Sequence, residues 1–155
     1  PGARPEAALQ AVRPRVVLDT HIVLDWLWFA DPRVAALAQA LQAGRLQWLA
    51  TADMRDELER VLVRFEAQDS SMYKKEQVLT LMDHHASWVV HPVPRWRFTC
   101  TDPDDQKFID LAAAHTATLL SKDAQVLTMA RRLQRLGVRV TSTWEPVNPA
   151  AQSAG

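Results

Sequence analysis

Cysteine is almost absent from this 155-residue chain, where Cys100 stands alone. A single thiol excludes an intramolecular disulfide and a cysteine-built zinc site. Glycine is scarce too, with four residues, and none belongs to a Gly-rich loop of the kind that cradles phosphates. No apolar run approaches the roughly 20 residues of a membrane-spanning helix. Neither sign of charge is in excess, since 18 basic residues balance 18 acidic ones. A nucleic-acid binder is more often basic. Acids gathered in one pocket would leave the rest of the surface basic, however, so net charge decides nothing about such a partner. What is present is ordinary for a globular protein: 48% hydrophobic and 23% charged residues, which argues against overall disorder. The length suits one domain with a sizeable core. Of six tryptophans, Trp26, Trp48 and Trp88 fall in apolar periods and read as core or subunit contact.

Residues 1–14, rich in Ala, Pro and Arg, read as a flexible leader whose start has no apolar signal core and resembles a processed terminus. Residues 146–155 are low in apolar content and read as a disordered tail. Between them, short apolar runs alternate with amphipathic stretches. Val16-Val17-Leu18 is a run suited to a strand buried on both faces, and it ends abruptly at Asp19-Thr20-His21. Further strands are expected at 46–50, 88–93, 118–121 and 138–141. Helices are expected from His21 to about Phe29, from Asp31-Pro32 to Gly44, and from Met54 to about Phe65. Others follow from Lys74 to about Ser87 (Val78, Leu81, Met82 and His85 on one side), from Asp104 to about Ala114, and over Ala124–Leu136. The alternation predicts an α/β fold. Residues 15–145 would form a single three-layer domain, with a five-stranded, mostly parallel, Rossmann-like sheet and helices on both faces.

Acids recur where a strand ends or a helix begins, the edge at which parallel sheets bind ligands. Asp19 follows the first strand. Glu57 sits inside or at the edge of the apolar stripe Met54, Leu58, Val61, Leu62 and Phe65. It is either a boundary residue whose stem packs while its head reaches water or a carboxylate that needs a partner. Asp56, Arg60 and Arg64, spaced four apart, form instead a solvated face with salt-bridge geometry. Asp105 opens one helix and Asp123 another. Each of these last two is well placed as a simple helix cap, as are Asp19 and Thr20. If all four converged, they would repel one another unless a cation compensated. Hard divalent cations take oxygen ligands, and such a site stabilises phosphoryl charge and generates hydroxide. Convergence therefore implies metal-assisted phosphodiester hydrolysis.

Val17-Leu18-Asp19-Thr20-His21, Glu57 within Asp56-Glu57-Leu58-Glu59-Arg60-Val61-Leu62, Asp102-Pro103-Asp104-Asp105-Gln106-Lys107-Phe108, and Leu119-Leu120-Ser121-Lys122-Asp123 resemble the four acidic motifs of PIN-domain nucleases. The likeness spans about residues 15–141, in the family's order. It resembles the branch described as toxin components of bacterial toxin–antitoxin pairs. The resemblance implies a Mg²⁺- or Mn²⁺-dependent endoribonuclease, with Asp19, Glu57, Asp105 and Asp123 as catalytic and metal-holding acids. Thr20 and Ser121 match the small hydroxyl positions that support such a site. Asp102 and Asp104 compete with Asp105; the family spacing favours Asp105 and makes the other two caps or outer partners. His21 departs from the Asn common in the family, and one His tautomer donates a similar bond.

Arg95-Trp96-Arg97-Phe98 mixes cations with aromatics, as a single-strand-binding surface would, or is an ordinary packed loop. Single-stranded or structured RNA is the expected partner, without a membrane and in the cytoplasm. An antitoxin protein and a homodimer are expectations of the branch alone. Two rival readings stand beside the nuclease. One is a catalytically degenerate PIN fold acting as an RNA- or protein-binding module. The other, a haloacid-dehalogenase-type phosphatase, needs a second Asp where His21 stands.

Overall fold

The computed structural model describes residues 13–68, 72–96 and 103–145. The predicted leader and tail therefore lie almost wholly outside the described residues, as do Arg97 and Asp102. Five strands form one sheet: β1 (Arg15–Leu18), β2 (Gln47–Ala50), β3 (Ala86–Trp88), β4 (Thr118–Leu120) and β5 (Val140–Thr141). All pairings are parallel and the order is β3-β2-β1-β4-β5. Val16, Val17 and Leu18 are all buried, as consecutive residues of a central strand must be when helices cover both faces. The chain steps outward from β1 to β2 and β3, then returns to place β4 on the other side of β1. That reversal opens a crevice beyond the carboxyl ends of β1 and β4.

The described helices are α1 (Thr20–Leu27), α2 (Ala35–Gln42), α3 (Ala52–Gln68), α4 (Met72–His85), α5 (Pro103–His115), α6 (Ala124–Thr128) and α7 (Ala130–Arg135). A 3₁₀ turn at Pro32–Val34 precedes α2, and the Asp31 side chain caps it by accepting from the Arg33 amide. Gly44 ends the α2 segment at a φ of +73°, the left-handed conformation that glycine adopts without a Cβ penalty. Leu58, Leu62, Ile109 and Leu111 carry the inward faces of α3 and α5 into one continuous core with the strands.

Three expectations are corrected. The third strand is Ala86–Trp88, earlier and shorter than 88–93, because it is registered on β2 with Trp48 opposite Ala86 and Ala50 opposite Trp88. Beyond Val89, which still donates to Ala50, Pro92 and Pro94 have no amide to continue a ladder. The helix expected over 124–136 is two helices that meet at Met129. There the Thr128 hydroxyl donates to the Ala124 carbonyl at 2.6 Å, a back-bond that bends helices. On α4 the inward residues are Val78, Leu79 and Met82, and Leu81 is 40% exposed. At 100° per residue, Leu81 lies well off the arc that 78, 79 and 82 share.

Candidate functional site

Seven of the predicted residues line one cavity of about 550 Å³ at the β1/β4 crevice: Asp19, Thr20, His21, Glu57, Asp104, Asp105 and Asp123. Asp19 ends β1, and its amide extends the ladder to the Leu120 carbonyl at 2.9 Å. It stands at the N-cap position of α1 without any side-chain cap bond, so the helix does not account for its carboxylate. The group is instead buried, and Oδ2 accepts from the Ser121 hydroxyl at 2.7 Å. Burial pushes the Asp19 carboxyl above its usual range and the nearby Glu57 adds to this. The Ser121 bond, the electrostatic influence of His21 and the Thr20 amide pull it back only in part. Ser121 serves both junctions, because its oxygen also accepts from the Asp123 amide at 3.1 Å.

Glu57, on the second turn of α3, is held at both oxygens. The Thr20 hydroxyl donates to Oε2 and the Lys107 ammonium lies 2.8 Å from Oε1. Lys107 is anchored in turn on the Asp104 carbonyl, also at 2.8 Å. Asp123 is a true cap: Oδ1 accepts from the Gln125 and Val126 amides at 2.8 and 3.3 Å. Asp105, in the first turn of α5, is buried, whereas its neighbour Asp104 is exposed.

Sequence reasoning missed four side chains. Arg60 and Arg64, read as part of a solvated salt-bridged face, are exposed as expected but also line the acid cavity. Neither makes an ion pair among the described residues; on that helix Arg55 pairs with Asp83 at 2.8 Å and Glu59 at 3.7 Å, and Glu66 with Lys75 at 3.7 Å. The signal was available, because residues 57, 60, 61, 64, 65 and 68 follow one helical face. Lys107 and Lys122 also find partners: the first on Glu57, the second on Asp25, a buried acid of α1. Arg95 and Trp96 do not line the acid cavity. Trp96 packs against the core and its amide donates to Asp110. A neighbouring hollow of about 620 Å³ is walled mainly by Trp88, Val89, Val90, Pro92 and Val93; of its two acids, Asp110 is already engaged by Gln106.

The donor set around Asp19 is carboxylate and hydroxyl oxygen, which suits a hard cation such as Mg²⁺ or Mn²⁺. A buried carboxyl with a raised pKa is likewise a group that a cation would bring back to its charged form. Among the described residues, no three acid, histidine or cysteine side chains stand close enough to enclose an ion as they are placed. Glu57 is turned to Lys107. Among the described residues, no helix is long and apolar enough to cross a membrane.

No curated protein matches the sequence. The family model of the PIN domain matches residues 15–125, a span that contains β1 through the start of α6 and all the acids of the cavity. A nuclease-type fold of this order, with its acids at the β1/β4 crevice, completes the assignment: the chain belongs to the PIN-domain family.

Proposed function

We propose that this protein is a Mg²⁺- or Mn²⁺-dependent endoribonuclease. One observation carries the reading: acids from four segments far apart in sequence, Asp19, Glu57, Asp105 and Asp123, line a single cavity at the sheet's switch point. These four would hold the metal, which when bound polarises a water and neutralises charge on the scissile phosphate. The chain's other groups position them. Ser121 fixes Asp19 and the amide of Asp123 together. Thr20 and Lys107 restrain Glu57, while Oδ1 of Asp123 is committed to the α6 cap. An acidic side chain at this end accepts the proton of the attacking water. The toxin role, an antitoxin partner, a homodimer and a cytoplasmic location join this proposal through the likeness of the branch alone.

Incubation with a labelled single-stranded RNA and Mn²⁺ should give internal cleavage that chelator stops and Asp19→Asn abolishes. Cleavage by Asp19→Asn at the wild-type rate would sink the assignment. The Lys107–Glu57 pair favours a second reading, a binding-only fold, because it neutralises one acid without any ion. Calorimetric titration with Mn²⁺ separates the two: saturable uptake belongs to the nuclease, and its absence to the binding module.

A further inference from the structure

The acid cavity has a second end. From Glu57 one face of α3 continues through Arg60, Val61, Arg64, Phe65 and Gln68, and all of them line the same cavity. Eleven residues at 1.5 Å each span about 16 Å, the length of roughly four to five stacked nucleotides. Arg60 and Arg64 are exposed and make no ion pair among the described residues, in contrast to Arg55 on another side of the helix, which Asp83 grips. Two guanidinium groups thus line the acid cavity with no ion pair among the described residues.

At the far end of this face lies an aromatic cluster. Phe65 meets Trp28 at 5.5 Å between ring centroids and Phe29 edge-on at 5.8 Å. Trp28 also carries the Lys74 ammonium 4.5 Å from its ring centre. Phe29 is 58% exposed, although a ring of that size contributes more to stability when covered. Exposed aromatic surface at the end of a helix face whose arginines make no ion pair among the described residues is the combination that takes a single strand, with phosphates on the cations and bases on the rings.

We propose that this face of α3 is the track along which a single-stranded nucleic acid lies. Arg60 and Arg64 hold phosphates leading to the acids, and Phe29, backed by Phe65, stacks an unpaired base. A duplex is disfavoured because its bases are already stacked and offer no free face. The proposal rests on the nuclease reading for what happens at the acid end, but not for binding itself.

The test separates the two. In chelator, where nothing is cleaved, fluorescence anisotropy follows a labelled mixed-sequence RNA on the full chain. Replacing both arginines (Arg60→Ala with Arg64→Ala) should weaken binding about tenfold or more and lower the salt slope by about 1.4, or 0.7 for each phosphate contact on a single strand. Phe29→Leu should weaken binding about fivefold or more while leaving that slope unchanged. A double Arg→Lys variant should recover much of the slope, which a folding defect would not. Unchanged affinity and slope in the double alanine variant overturn the track. So does equal binding of duplex and single strand with no effect of Phe29→Leu. If the wild type binds in this pattern but never cleaves with Mn²⁺, the track stands and the nuclease reading falls. If the double alanine variant binds and cleaves as the wild type does, the reverse holds.

Discussion

The two junctions at which β1 and β4 pass into helices look alike in sequence and backbone, yet they use their aspartates differently. Asp19 (φ −59°, ψ 152°) and Asp123 (φ −66°, ψ 124°) both stand just before a helix in extended conformation. Asp123 gives an oxygen to two amides of α6. Asp19 gives α1 no such cap bond and meets only the adjacent Thr20 amide; its carbonyl, not its carboxylate, accepts the Ile22 and Val23 amides. A carboxylate taken up by a helix terminus is explained by folding alone. One that is 5% exposed and held chiefly by the Ser121 hydroxyl is not. Burying a charge costs free energy that Ser121 only partly offsets, as the raised pKa of Asp19 records. Of the two, Asp19 is the residue that folding stability alone would have removed.

Replacing each acid by its amide breaks the comparison most directly. Asn caps helices about as well as Asp, so Asp123→Asn keeps α6 and removes only what the carboxylate does for chemistry. Both Asp19→Asn and Asp123→Asn should lose at least about a hundredfold in Mn²⁺-dependent RNA cleavage, beyond the 10–100-fold typical of residues that merely orient a metal ligand. If Asp123→Asn cleaves normally while Asp19→Asn does not, Asp123 is a cap and nothing more. Ser121→Ala should lie between the wild type and these variants, at about ten- to a hundredfold weaker Mn²⁺ uptake by calorimetry. An unchanged isotherm would show that the hydroxyl linking the two junctions is dispensable. Lys107→Met should act the other way. Removing a cation about 3 Å from Glu57 strengthens Mn²⁺ binding about fivefold, the equivalent of ~1 kcal/mol and of the order of a solvent-screened ion pair. Weaker binding would mean that Lys107 positions Glu57 rather than competing for it.

The comparison also shows what the sequence discloses. Strand-length apolar runs made the sheet legible, because central strands buried on both faces leave no other pattern for Val16–Leu18 or Leu119-Leu120. The PIN-domain membership was legible from the order of four short motifs. What stayed hidden were features decided across space. The third strand was misplaced because β2, not local propensity, sets its register. Arg60 and Arg64 are solvated as their spacing predicts, but the cavity they line stayed hidden because spacing shows which residues share a helix face and not what that face meets. Lys107 and Lys122 showed no role in sequence, since their partners Glu57 and Asp25 lie 50 and 97 positions away. Whether Asp19 or Asp123 caps its helix was likewise undecidable, because both sit before a helix and what differs is the hydrogen-bond partners of the carboxylate.

The smallest expected effect lies in stability, and its sign differs between the junctions. Asp123→Ala removes a cap and should cost about 1 kcal/mol in denaturant unfolding. Asp19→Asn removes no cap, and the amide oxygen still accepts from Ser121, so in chelator at neutral pH it should stabilise the fold. The pH dependence follows from linkage. A carboxyl whose pKa is raised by folding favours the folded state below its unfolded value of 3.8, and that advantage is lost as pH rises through the folded value. The gain from Asp19→Asn should therefore be near zero below pH about 3.8, grow as pH rises above it, and level off once the folded carboxyl has ionised. Asp83 runs oppositely, because its bond to Arg55 lowers its pKa, so its contribution is present above 3.8 and lost as pH falls. If Asp19→Asn proves less stable than the wild type at neutral pH in chelator, the carboxylate is a structural asset after all. The contrast between the two junctions would then reduce to one of hydrogen-bond partners.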